Sequence, residues 1–381
     1  MLLNGIAMPE GYSVYGHQVA GHRFETGKQG MLLDSDGKLL KPIQAPPRGE
    51  REVEFYQSLF ECKTSDQTTL KLCQFVPAFY GVKHVVSPDL SLKDILDHMR
   101  LTAGLQSQHF FDNYIILENL TRHFKKPCIL DIKIGKSITD HLATQAKRER
   151  AARKYPEQEQ FGFRILGMKV YNKSSKHFKF YDKTFGKNLK THKEVLTGLK
   201  EFFCSAEHGK GHIEEILENL EAIKIWAVEQ RIFRLYSSSI LIIYEGDETL
   251  KTNGLVKENS NSDLNANDDT SGDNEMDSMV EDTENAFQFQ ASDNSCKIQA
   301  QLCTETLVAQ NECSNCVTDS LVKCWNKRDC YLENNIQPQK PKVNIRLVDF
   351  AHTYIGHYDA PDDNYLYGLN NLICYFEQLI R

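Results

Sequence analysis

Between residues 247 and 340 the chain carries sequence that cannot pack, and what flanks this stretch constrains the fold more than any other feature. Runs such as KENSNSDLNANDDTSGDNEMD (257–277) hold few large apolar side chains, so they cannot bury enough surface to offset the entropy of ordering. The stretch is nevertheless internal. Strand-like sequence resumes at VNIRLVDF (343–350). Because loop-closure entropy grows slowly with length, two strands of one domain tolerate so long a segment between them. The expected organisation is one domain in two pieces, 10–246 and 341–381, interrupted at 247–340 by a disordered acidic and cysteine-containing insert.

The same stretch distorts the charge balance. Eleven acidic residues and no Lys or Arg lie between Glu258 and Asp293, so the formal −7 of the chain becomes +4 outside that window. A mildly basic folded part favours an anionic ligand. Six of the eleven cysteines fall between Cys296 and Cys330, and the rest are scattered singly, as reduced thiols are. Cys313 and Cys316 form a C-x-x-C, but Cys324 and Cys330 are more widely spaced than a second zinc knuckle. Incidental thiols are expected, with a four-thiolate zinc site as the alternative. The chain lacks an apolar run of about 18 residues, and its start has no basic n-region. A soluble intracellular protein is expected.

Before the interruption, strands and helices alternate. GMLLDSDGKLL (30–40) predicts a hairpin turning at Asp36 and Gly37, with Lys41 at the end of its second strand. Residues 51–60 follow as a helix with Val53, Tyr56 and Phe60 or Leu59 on one face and Glu52 at its start. Strands are predicted at 114–117 and 127–134, a helix over 139–154 ending before Pro156, and strand-like FRILGMKVYN and FKFYDKTFG after it. Thr191 and Glu194 form a capping-box signature for the next helix. An amphipathic helix through Ile213 and Trp226, a strand at 239–244 and a final helix over 365–379 complete the pattern.

Asp131 and Lys133, two apart on a strand, present an acid and a base to one side. Alone, an ordinary ion pair explains them as well as chemistry does. Asp349, at the end of an apolar strand, is placed as an acid that can hold a metal bound to nucleotide phosphates. Lys41 with Glu52 supplies a lysine steadied by a glutamate, a device suited to phosphoryl transfer, which needs positioning and charge neutralisation. Lys147, Arg150 and Lys154 lie within about 60° of one another on a helix of 3.6 residues per turn, a spacing that suits several phosphates on one ring. The rival readings of that basic run are a solvated face and a nucleic-acid or localisation patch. There is no G-x-x-x-x-G-K-[ST] loop and no H-R-D loop, so neither a P-loop enzyme nor a protein kinase is supported.

Together these residues show a resemblance. Pro127, Asp131, Lys133 and Gly135 match the P-x-x-x-D-x-K-x-G signature of the inositol polyphosphate kinase family, and Ser238-Ser239-Ile240-Leu241 resembles its S-S-L-L segment. The likeness runs from about His17 to the C-terminus, leaving out the insert. It implies an α+β, two-lobed fold: an antiparallel-sheet N-lobe and a larger C-lobe with a short helical substrate-binding segment. Only 26 residues separate Gly135 from Gly162, too few for the larger inositol-binding lobe of the trisphosphate 3-kinases. The resemblance further implies ATP and Mg2+ as cofactors. Lys41 would contact the ATP phosphates with Glu52 orienting it, and Glu118 and Leu120 would offer backbone groups to adenine. Asp131 would be either a ribose ligand or an acid beside the reacting centre. Lys133 would bridge the moving phosphate and the attacking hydroxyl, and Asp349 would hold the metal. Arg48, Lys147, Arg150, Lys154, Lys183 and His352 would face the substrate.

The implied reaction is phosphorylation of inositol trisphosphate and tetrakisphosphate at the 3- and 6-positions to the pentakisphosphate, with phosphatidylinositol 4,5-bisphosphate as a possible second substrate for 3-phosphorylation. The alternatives are a kinase of the hexakisphosphate, or a nuclear scaffold acting through the acidic insert. The implied partners are soluble inositol polyphosphates and phosphoinositide headgroups at a membrane surface, without direct nucleic-acid binding. A monomer in nucleus and cytoplasm is expected.

Overall fold

In the first half of the chain, alternating apolar residues build a small antiparallel sheet. The computed structural model describes residues 2–3, 6–7, 11–21, 30–61, 66–86, 111–203, 209–247 and 343–381. Strands β1 (Leu2–Leu3) and β2 (Ile6–Ala7) pair with each other. Strands β3 (Ser13–Val14), β4 (Leu32–Leu33), β5 (Leu39–Pro42), β6 (Phe79–Val86) and β7 (Phe111–Leu117) form a five-stranded sheet in the order β3-β4-β5-β7-β6. The β4–β5 hairpin turns where expected. Gly37 takes φ +76°, a conformation cheap only for glycine, and Asp34 Oδ1 accepts from the amides of Asp36 and Lys38.

Between β5 and β6 lie α1 (Arg48–Phe60) and α2 (Gln67–Leu72), the latter capped by the Asp66 carboxylate on the Thr69 amide. The stripe that α1 buries is Glu52, Phe55, Tyr56 and Leu59, with Val53 and Phe60 half-buried. Tyr56 and Leu59 are as expected, while Val53 is displaced from the buried stripe because Glu52 turns inward to meet Lys41.

The second half builds a larger sheet. Strands β8 (Pro127–Ile134), β9 (Phe163–Asn172), β10 (His177–Tyr181), β11 (Phe233–Leu235), β12 (Ser239–Glu245), β13 (Val343–Val348) and β14 (Thr353–Ile355) follow in chain order. Five of them make an antiparallel sheet ordered β10-β9-β8-β12-β13, while β11 pairs with β14. β12 and β13 are direct partners, from Ser239↔Val348 to Tyr244↔Val343, so the chain that leaves after β12 returns alongside it. The insert and its candidate zinc cysteines lie outside the described residues, apart from Asp247.

The helices of this half are α3 (Gln145–Lys154), α4 (Gln158–Phe161), α5 (Lys183–Lys187), α6 (His192–Glu201), α7 (Gly209–Glu229) and α8 (Asp363–Ile380). Thr191 and Glu194 make the reciprocal capping box of α6. Two sequence expectations are corrected. The helix expected from 139 begins at 145, because Thr144 caps it on the Lys147 amide while Asp140 folds residues 140–143 into a turn. The strand expected through 186 stops at Tyr181, because Asp182 accepts from the amides of Thr184 and Phe185 and starts α5.

β8 distributes its side chains to two environments. Cys128, Leu130, Ile132 and Ile134 enter a core that also takes Trp226 and Leu220 of α7, Leu369 and Phe376 of α8, and Phe55 and Tyr56 of α1. Each fully buried Leu or Ile stabilises by about 1.5–3 kcal/mol relative to exposure. Since α1 belongs to this cluster, one continuous core joins both sheets. The opposite face of β8 presents Ile129, Asp131 and Lys133. Among the described residues no helix is long and apolar enough to cross a membrane.

Candidate active site

Three elements meet at Lys41. β5 carries the lysine, α1 brings Glu52, and the chain leaving β13 brings Asp349. Lys41 Nζ lies 2.7 Å from Glu52 Oε1 and 2.5 Å from Asp349 Oδ1. Glu52 is fully buried and its Oε1 also accepts from the Phe350 amide at 3.2 Å, so one carboxylate fixes both the lysine and the turn holding Asp349. Burial opposes the charge on Lys41, but Asp349 and Glu52 outweigh it and raise its pKa. Asp349 has φ +66°, a left-handed conformation uncommon for a residue with a Cβ though least so for Asp and Asn. Such strain costs on the order of 1–3 kcal/mol and gathers at functional sites.

On the face of β8 opposite the main core, Asp131 and Lys133 stand in contrasting states. Asp131 is buried and its Oδ1 has no hydrogen-bond partner. Burial first, and the Asp349 carboxylate second, push its pKa up to about 7. Burial also works against ionisation of Asp349, but Lys41 and Lys133 prevail and hold it below the usual carboxylate value. Lys133 Nζ donates to the Ser237 carbonyl (2.9 Å) and hydroxyl (2.6 Å), and burial lowers its pKa despite Asp349 and Asp131. Ser237 presents both oxygens because it too has a positive φ, +56°. Lys133 and Asp131 do not form the ordinary ion pair that their spacing allows, since their described partners lie elsewhere.

A cationic border continues from Lys133. His352 Nδ1 lies 3.0 Å from Asp140 Oδ2, and the charges of Lys147 and Lys133 both bear on the imidazole. Arg51 covers the Tyr354 ring at 4.6 Å and helps hold the Asp140 carboxylate ionised. Lys147, Arg148, Arg150, Arg153 and Lys154 all belong to α3, a helix with no buried residue. Arg48 at the first turn of α1 and Lys183 at the start of α5 are exposed. No described contact ties Arg48, Lys154 or Lys183 to Asp131 or Lys133.

The segment between the sheets is tied down by hydrogen bonds at both Glu118 and Leu120. The Glu118 amide donates to the Ala78 carbonyl and its carboxylate accepts from the Ala78 amide, while the Leu120 carbonyl accepts from Asn344. Beside it, Leu120, Ile129 and Ile243 form a small apolar cluster with half-buried Val19, Leu241 and Val348. Sequence reasoning missed these last three, together with Arg51, Asp140 and Ser237. Leu241 and Val348 were legible as strand residues, but only the sheet order shows that they share a face with Asp131.

The chain is similar to known proteins along most of its length. The family model described as inositol polyphosphate kinase matches residues 114–377. The inositol polyphosphate multikinase of Mus musculus is 30% identical over 386 residues, covering 96% of this chain and 91% of its own, and that of Homo sapiens is 28% identical with coverages of 96% and 88%. A crystal structure of the S. cerevisiae inositol phosphate multikinase, in complex with ADP and Mn2+, superposes with a TM-score of 0.50 at 21% identity over 90% of this chain and 99% of that one. Matched by the family model and aligned with the mouse relative along nearly its whole length, the chain belongs to the inositol polyphosphate kinase family and is a kinase.

Proposed function

We propose that the chain transfers the γ-phosphoryl group of ATP to free hydroxyls of inositol trisphosphate and tetrakisphosphate, giving the pentakisphosphate. The observation that carries this reading is the placement of Lys133. It stands between the Lys41–Glu52–Asp349 cluster on one side and Lys147 with the imidazole of His352 on the other. Lys41, preset by two carboxylates, would neutralise nucleotide phosphates without reorganising. Remaining backbone groups at Glu118 and Leu120 would meet the hydrogen-bonding edge of adenine, and the cluster around Leu241 and Val348 suits its face.

A divalent cation fits the acidic pair. Asp131 offers a buried, unpartnered oxygen beside Asp349, and among the described residues no group of three or more His, Cys, Asp or Glu can hold a metal. Two hard carboxylates completed by phosphate and water oxygens are what Mg2+ prefers. When bound, the ion would shield charge on the transferring phosphoryl group. Asp131 would give up its proton on binding the cation. Lys133 would hold the incoming hydroxyl and the moving phosphoryl oxygen together, Lys147, Arg150, Lys154, Arg48 and Lys183 would receive the ring phosphates, and His352 would also face the substrate ring.

Because α3 buries none of its residues, the site is bordered there by a free surface. This supports phosphatidylinositol 4,5-bisphosphate as a second substrate, its headgroup still attached to lipid. For the compartment we propose nucleus and cytoplasm, on the resemblance alone; imaging the tagged chain checks it. Incubating the purified chain with ATP, Mg2+ and each inositol phosphate in turn, and assigning products by phosphate position, tests the main reading. Pentakisphosphate is expected; turnover of the hexakisphosphate alone would overturn it.

A further inference from the structure

Apart from Asp140, the charged groups that bear on His352 are lysines, which can only donate. The charges of Lys133 on β8 and Lys147 on α3 act on the imidazole, while Arg51 of α1 and Tyr354 interact with Asp140. Lysine and arginine have no acceptor to offer. Asp140 differs from its surroundings. It is 3% exposed, its Oδ1 accepts from the Leu142 amide at 3.1 Å, and its Oδ2 lies 3.0 Å from His352 Nδ1. Burial works to raise the pKa of this carboxylate, but the His352 hydrogen bond with Lys147 and Arg51 overcomes it and keeps the group ionised. An ionised carboxylate only accepts, so the proton between the two groups belongs to Nδ1. Burial, with Lys147 and Lys133 adding to it, lowers the pKa of the imidazole against the pull of Asp140, so His352 is neutral near pH 7 and Nε2 carries a lone pair.

We propose that Asp140 is a positioning residue that fixes His352 in the Nδ1–H tautomer, so that Nε2 accepts a hydrogen bond from a free hydroxyl of the polyol substrate. This deepens the kinase reading and rests on it. A fully ionised phosphate oxygen at that position would face a lone pair, whereas a hydroxyl has the proton that the lysines and arginines cannot accept. His352 thereby selects which ring positions may already be phosphorylated.

Asp140→Asn tests this directly. Its Oδ1 can keep the Leu142 amide while its NH2 faces Nδ1, which inverts the imidazole tautomer. The 15N spectrum of the full chain should show His352 protonated on Nδ1 in the parent and on Nε2 in the variant. The variant should keep its melting temperature and its KM for ATP, and lose about 30-fold in kcat/KM for inositol trisphosphate, the scale of one mispaired buried hydrogen bond. If Asp140→Asn does not fold, His352→Gln and His352→Leu decide: Gln keeps an acceptor and should retain at least tenfold more kcat/KM than Leu. A parent protonated on Nε2, a variant within threefold of the parent, or equal activities of the Gln and Leu variants would overturn the proposal. Absence of inositol phosphate turnover in the parent would instead sink the kinase reading, and this proposal with it.

Discussion

The Lys41 cluster and helix α3 are both dense in charge, yet they are built on opposite plans. Lys41, Glu52 and Asp349 are closely paired and anchored by three elements that share one apolar core. α3 has five cations, one acid and no buried residue. In the first region, desolvation makes every charge depend on its partner, so function and stability are joined. In the second, solvent screens exposed charges and their described partners, such as Glu149 for Arg153, are local to the helix. On the proposed reading, the first plan would hold one nucleotide geometry and the second would accept several phosphate patterns.

The comparison breaks first at Lys133. Lys133→Ala should lower kcat by about 1000-fold, the scale of removing a donor aimed at the transition state, with little change in melting temperature because its described partners are the carbonyl and hydroxyl of Ser237. Retained turnover would remove Lys133 from the chemistry. Next comes Lys41→Met, which leaves the buried Glu52 without its cation and should cost about 3–5 kcal/mol in denaturant unfolding as well as activity. A stable but inactive variant would show that the cluster is not the structural anchor described above.

Asp131→Asn should separate the two properties in the opposite sense. In the ligand-free chain the carboxyl stays protonated up to about 7, while the unfolded chain ionises near the ordinary value of 3.8. Stability is therefore lost as pH rises between these values and is flat above them. Asn removes that slope, so the variant should be inactive yet more stable than the parent at pH 8, with the two converging near pH 4. Unfolding midpoints at both pH values check this. The smallest effect is expected on α3: Arg150→Gln should change kcat/KM for inositol trisphosphate by no more than about threefold, since one exposed cation among five is readily substituted.

Much of this molecule was legible in its sequence where a pattern was both periodic and local. The alternation in PCILDIKI placed Asp131 and Lys133 on one face, and the capping box at Thr191 placed α6. What escaped was set by side chains that act on neighbouring backbone or on distant strands. Asp140 and Thr144 shortened α3, and Asp182 ended β10, each by accepting from a nearby amide in competition with regular structure. Glu52 turned inward against the apolar pattern because its partner lies eleven residues away on β5. Ser237, Arg51 and Asp140 offered no motif. Their roles arise only when sheet pairing and the α1 packing bring β8, α1 and the turn before α3 to one place.

The division of labour between the two charged regions is tested most directly by steady-state kinetics of a Lys147→Ala, Arg150→Ala, Lys154→Ala triple variant. The expected result is a KM for inositol trisphosphate at least about 30-fold higher, each lost phosphate contact being a charge-assisted hydrogen bond, with KM for ATP and the melting temperature unchanged. An unchanged KM for inositol trisphosphate, or a parallel loss of ATP affinity and fold, would contradict the assignment of α3 to the substrate.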